Sequence, residues 1–126
     1  VIQRMVRDLN FPVKIALAPT VREADGLALS SRNKYLSPAE RSQAAVLWQA
    51  MSLARKSVRA SGMPVSASQL RGLMIRLIQS QPAARVEYVE FFHPRTLEPV
   101  RQVKPGLGVA LAVFIGTTRL IDNAGL

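Results

Sequence analysis

Leu29-Ser30-Ser31-Arg32-Asn33 puts two adjacent hydroxyls, a guanidinium and a carboxamide into five consecutive positions. Hydroxyls are short donors, and arginine is a planar, permanently charged fork that matches the oxygens of a phosphate. On a tight turn this inventory suits an anion: backbone amides and hydroxyls form a cradle, and Arg32 adds charge-assisted hydrogen bonds. Hydrogen bonds to charged groups contribute about 1.5–3 kcal/mol each. The same residues also read as a polar loop ahead of a helix, with the serines capping backbone amides. Neither serine is cast as a nucleophile, because no histidine or carboxylate adjoins the pair to act as its base.

The elements around the loop follow from spacing. Ile2, Met5, Val6 and Leu9 recur at helical intervals with polar residues between them, which predicts an amphipathic helix ending before Pro12. Val13 to Ala18 reads as a strand closed by Pro19, so the opening third has the pattern of the tail of a parallel α/β domain. Ser37-Pro38-Ala39-Glu40 combines an N-cap, a proline at the first helical position and a capping-box glutamate. The helix it starts is predicted to run through Ala44, Ala45, Leu47, Trp48, Met51 and Val58 until Gly62 and Pro64 stop it. Ser66 or Ser68 then caps a second helix carrying Leu70, Leu73, Met74, Leu77 and Ile78, which ends by Pro82. Strands are predicted over Arg85 to His93, Leu107 to Ile115 and Thr118 to Ile121, with the almost wholly apolar second one in the middle of the sheet. A helix pair packed on a small antiparallel sheet is an α+β layer. The boundary falls near Asn33 to Ser37, giving units 1–36 and 37–126, with the Ser-Ser-Arg loop at the junction where ligands preferentially bind.

Composition narrows the class. The chain has 126 residues, 48% hydrophobic and 20% charged, as soluble globular domains have. It has no cysteine, which removes disulfides and thiolate metal sites. The longest apolar run, Val109 to Ile115, is too short to span a bilayer, and Val1 to Asn10 lacks a secretory signal. The chain starts mid-pattern without methionine, which reads as a piece of something longer. Its net charge of +9 admits nucleic acid, anionic membrane or phosphate-bearing small molecules. However, the basic residues are spread from Arg4 to Arg119 without a block, and aromatics, read mostly as core, are only 6%, which argues against a nucleic-acid face.

Pro19-Thr20-Val21-Arg22-Glu23-Ala24-Asp25-Gly26-Leu27-Ala28-Leu29-Ser30-Ser31-Arg32-Asn33, then Tyr35-Leu36-Ser37-Pro38 and Arg119-Leu120-Ile121-Asp122-Asn123, closely resembles the pantoate–β-alanine ligase family over its C-terminal half. The resemblance implies an ATP-dependent ligase that joins pantoate to β-alanine through a pantoyl adenylate. It implies that Leu29, Ser30, Ser31 and Arg32 contact the ATP phosphates, with Arg32 stabilising charge, and that Val21 offers backbone groups to adenine. It further implies Mg²⁺ carried with ATP, a cytoplasmic homodimer, and a lid domain (37–126) preceded by the terminal helix–strand of a Rossmann-like nucleotide-binding domain (1–36).

The family's paired histidines and its Lys-Asp-x-Gln-Gln segment are absent here, so the chain alone is expected to be inactive. His93, the lone histidine, receives no catalytic role. Arg22, Glu23 and Asp25 read as weak surface pairs. Asp122-Asn123 reads as a turn, a cap or a ligand contact, and Met51, Met63 and Met74 as core filler. The alternatives are a basic nucleic-acid-binding module and a structural or assembly domain without catalysis.

Overall fold

The computed structural model describes residues 1–126. In chain order the elements are α1 (Ile2–Asp8), a 3-10 turn (Ser31–Tyr35), α2 (Pro38–Ala44), α3 (Val46–Ser61), β1 (Val65–Ser66), α4 (Ala67–Gln79), β2 (Ala84–Phe92), β3 (Gln102–Val103), β4 (Gly108–Ile115) and β5 (Thr118–Gly125).

The capping box forms in full. Ser37 Oγ accepts from the Glu40 N–H at 3.3 Å, and the Glu40 carboxylate accepts from the Ser37 N–H at 2.8 Å. Two orphan donors of the first turn are thereby satisfied. The single helix expected from Ser37 to Gly62 is divided at Ala45, whose N–H turns to the Gln43 carbonyl. Its backbone remains right-handed (φ −58°, ψ −19°), so the ladder lapses without leaving the helical region. Intrinsic propensity gives no hint of this, because alanine is the best helix former. Gly62 closes α3 in the left-handed conformation at φ 63°. Ser66 precedes α4 without a side-chain cap, its hydroxyl lying 2.9 Å from that of Ser68.

The three-stranded antiparallel sheet has the order β2-β4-β5, so the apolar strand β4 is central as expected. β2 and β4 pair from Ala84↔Ile115 to Phe92↔Gly108, with a register shift between Val86 and Tyr88. β4 and β5 pair from Gly108↔Gly125 to Ile115↔Thr118, joined through Gly116-Thr117. β5 is thus longer than the predicted Thr118 to Ile121. A separate two-residue ladder joins β1 to β3. α3 and α4 pack on each other and on the sheet. Leu47, Met51, Leu70, Met74, Ile78, Phe91, Leu111 and Ile115 fill the space between these layers. The α+β architecture is the one expected, and no helix is long and apolar enough to cross a membrane.

Residues 1–20 differ from expectation in one respect. α1 forms, but it buries none of its residues. Val13 to Ala18 forms no strand, since no neighbouring strand offers a ladder to its amides and carbonyls. Met51 and Met74 are core residues, whereas Met63 is 72% exposed in the connection after α3. Among the aromatic residues only Phe91 is fully buried.

Candidate functional site

Residues 21–29 form a tight hairpin. Leu29 N–H donates to the Val21 carbonyl at 2.9 Å, Glu23 N–H to Leu27 at 2.8 Å, and Gly26 N–H to Glu23 at 2.9 Å. Arg22 and Ala28 face each other as an antiparallel bridge. Asp25 Oδ1 accepts from the Leu27 N–H at 3.2 Å, an aspartate turn that steers the tip. Leu27 is driven into the core, 3% exposed and clustered with the buried residues of the helices and sheet. Val21 and Leu29 remain exposed at the open end of the hairpin.

The chain then turns at once into the 3-10 segment. Ser30 Oγ accepts from the Arg32 N–H at 3.2 Å, which is the capping role open to it from its type. Ser31 and Arg32 are exposed. The Asn33 amide donates to Glu23 Oε1 at 2.7 Å and to the Ala28 carbonyl at 3.1 Å, tying the turn back onto the hairpin. Asn33 Oδ1 is buried without a partner, and Asn33 borders a small cavity of about 30 Å³ also lined by Ser30, Arg32 and Asp122.

Two arginines anchor this unit. Arg22 grips Asp122 of β5 with two hydrogen bonds, Nη1 to Oδ2 at 2.6 Å and Nη2 to Oδ1 at 3.0 Å. Their side chains are only 16% and 3% exposed. Arg22 also donates to the Gly26 carbonyl at 3.0 Å and lies 4.0 Å over the Trp48 ring. A stacked cation of this kind adds about 0.5–2 kcal/mol. Arg41, from α2, donates to both Asp25 oxygens at 2.6 and 3.1 Å and to Glu23 at 2.6 Å. Its guanidinium is the first cause holding the Glu23 and Asp25 carboxyls below their ordinary values, and the two carboxylates in return push Arg41 upward.

Arg32 is different. Its guanidinium pairs with no carboxylate or carbonyl of the chain. It opens onto a cleft of about 420 Å³ lined also by Tyr35, Thr117, Thr118 and Arg119. Arg119 there is neutralised by Glu87 at 2.6 Å. A larger recess of about 500 Å³, between Ser66, Arg71, Glu90 and Gln102, touches none of these residues.

The five residues singled out from sequence, Val21, Leu29, Ser30, Ser31 and Arg32, therefore sit together at one end of an anchored hairpin. The family model described as pantoate-β-alanine ligase matches residues 1–125. The chain belongs to the pantoate-β-alanine ligase family. It is 48% identical over 126 residues to the pantothenate synthetase of Moorella thermoacetica, covering all of this chain and 44% of that protein. The pantothenate synthetase of Caldicellulosiruptor saccharolyticus is 47% identical over 123 residues, or 98% of this chain and 43% of its own length. Among solved structures, the pantothenate synthetase of Thermus thermophilus superposes with a TM-score of 0.85 at 42% identity, over 99% of this chain and 44% of that one. The pantoate-β-alanine ligase of Francisella tularensis, complexed with β-γ ATP and β-alanine, matches with a TM-score of 0.61 at 27% identity, over 98% of this chain and 38% of that one. The chain thus spans less than half the length of these family members.

Two sequence expectations for this family segment need correction. Arg22, Glu23 and Asp25 are not a loose set of surface pairs: Arg22 is mostly buried, and the carboxylates share one guanidinium. Asp122 lies within β5 and is neither a turn nor a helix cap. The signal was the alternation of that strand, which buries Leu120 and Asp122 and exposes Ile121 and Asn123. A carboxylate on an inward face demands a cation. His93 lies just past the end of β2, its Nδ1 accepting from the Arg95 and Thr96 N–H groups at 3.3 and 3.4 Å.

Proposed function

We propose that this chain is the C-terminal part of an ATP-dependent ligase that condenses pantoate with β-alanine. On this reading residues 1–36 lead out of its nucleotide-binding domain, with their Ser-Ser-Arg hairpin resting on the lid formed by 37–126, in a cytoplasmic homodimer. Leu29, Ser30, Ser31 and Arg32 contact the ATP phosphates, and Val21 serves adenine through its N–H and the free lone pair of its carbonyl. The observation that carries the reading is the unpaired Arg32 guanidinium at the end of a hairpin whose other charged groups are all engaged. An arginine without an internal partner is free to pair with an external anion.

The pantoate carboxylate attacks the α-phosphorus; a new P–O bond forms, and the bond to the bridging oxygen breaks with its electron pair leaving on pyrophosphate. The β-alanine amine then attacks the acyl carbon; the C–N bond forms, the C–O bond to AMP breaks, and the amine proton passes to solvent. Nothing in this sequence requires a protein nucleophile, so the chain's work is positioning and charge stabilisation. Arg32 neutralises charge gathering on the departing pyrophosphate. Mg²⁺ arrives with ATP, on its phosphates, as part of the substrate complex.

Titration of the full-length protein with MgATP, with Arg32 intact and replaced by alanine, tests the reading. Weakened binding on replacement supports it, and unchanged binding together with unchanged turnover overturns it.

A further inference from the structure

We propose that Arg22 and Asp122 are positioning residues that lock the Ser-Ser-Arg hairpin to β5, so that the phosphate-contacting loop moves as one body with the helices and sheet. This rests on the phosphate-contact reading above and names how the loop is held for it.

The pair joins residues one hundred positions apart through a two-point fork, a geometry that fixes direction as well as distance. Arg22 is held on every side. Asp122 holds two of its nitrogens, the Gly26 carbonyl accepts from Nη1, and the Trp48 ring lies against its face at 4.0 Å. Asp122 is fixed in turn, because its Oδ1 also accepts from the Asn123 N–H at 2.8 Å. Arg22 and Ala28 face each other across the hairpin, and only Leu29 and Ser30 separate that bridge from Ser31. An arginine anchored at the bridge therefore sets where Ser30, Ser31 and Arg32 emerge. Leu27, inserted in the core two residues before Leu29, removes the remaining freedom to slide. A hinge between the loop and the α+β body has no place to act while these contacts hold.

The claim separates from simple structural support by a double-mutant cycle in the full-length protein. Asp122→Asn keeps the shape and removes the charge. If the pair acts by aiming Arg32, Asp122→Asn slows single-turnover adenylate formation at saturating MgATP by tenfold or more. In an Arg32→Ala background the same substitution then costs less than threefold. Arg22→Lys, which keeps the charge but not the fork, gives an intermediate loss and serves as the readout if Asp122→Asn does not fold. Equal factors in both backgrounds, or a rate within twofold of the unmodified protein, overturn the proposal. If Arg32→Ala slows adenylation but neither pair variant does, the clamp alone falls. If Arg32→Ala has no effect, the phosphate-contact reading falls and takes the clamp with it.

Discussion

The Trp48 indole occupies the space that a side chain at Gly26 would need: a β-carbon there would lie 1.9 Å from Trp48 Cδ1. Gly26 also has φ +91°, a conformation that L side chains rarely adopt. The tip of the hairpin, the stacked face of Arg22 and the start of α3 are therefore interlocked.

Gly26→Ala is expected to be severely destabilising. Backbone strain costs about 1–3 kcal/mol, and the overlap with the indole adds an overpacking cost of about 1–3 kcal/mol. Gly62→Ala is the comparison, because Gly62 has φ +63° with nothing within 4 Å of the added carbon. It should lose only the strain of a left-handed residue, about 1–2 kcal/mol. Chemical denaturation of the two variants measures the difference; equal losses would show that the indole yields freely.

The acid response follows from Arg41. Its guanidinium lowers Glu23 from an ordinary 4.5 and Asp25 from an ordinary 3.8. Groups depressed in the folded state contribute stability above their unfolded values and lose it as pH falls through the folded ones. Arg41→Met should therefore cost most near neutrality, and the gap to the unmodified chain should close as pH drops below about 4. Depressed carboxylates elsewhere, such as Glu40 and Glu87, are common to both proteins and cancel. Melting curves of the two at pH 7 and pH 3 measure this, and a gap constant with pH would contradict it.

Ser37→Ala removes one half of the capping box at the start of α2. The expected loss is about 1 kcal/mol, typical of an N-cap serine. A urea midpoint unchanged from the unmodified chain would mean that the packing around α2 supplies its stability without the cap.

The parts of this fold that were legible in the sequence are those whose causes are local. Ser37, Pro38 and Glu40 announce the start of α2 within four residues, and Gly62 announces the end of α3. The unbroken apolar run of β4 marks the central strand, which pairs with β2 along one edge and β5 along the other. What escaped depends on partners far along the chain. Val13 to Ala18 has strand composition, but composition cannot supply a neighbouring strand. Asp122 acquires its meaning only from Arg22, and Arg41 only from Glu23 and Asp25. The candidate residues Ser30 to Arg32 stand out through chemical type and pattern, whereas the ion pairs that hold their hairpin are hidden by sequence distance.

The central claim is that Arg32 stabilises charge on the pyrophosphate leaving ATP. Pantoate-dependent exchange of labelled pyrophosphate into ATP reads that half-reaction alone, without β-alanine. In the full-length protein, Arg32→Ala should slow the exchange by about 10²–10³-fold, the usual cost of one preorganised transition-state donor, while pantoate binding changes little. Exchange at the unmodified rate in the Arg32→Ala protein would contradict the account.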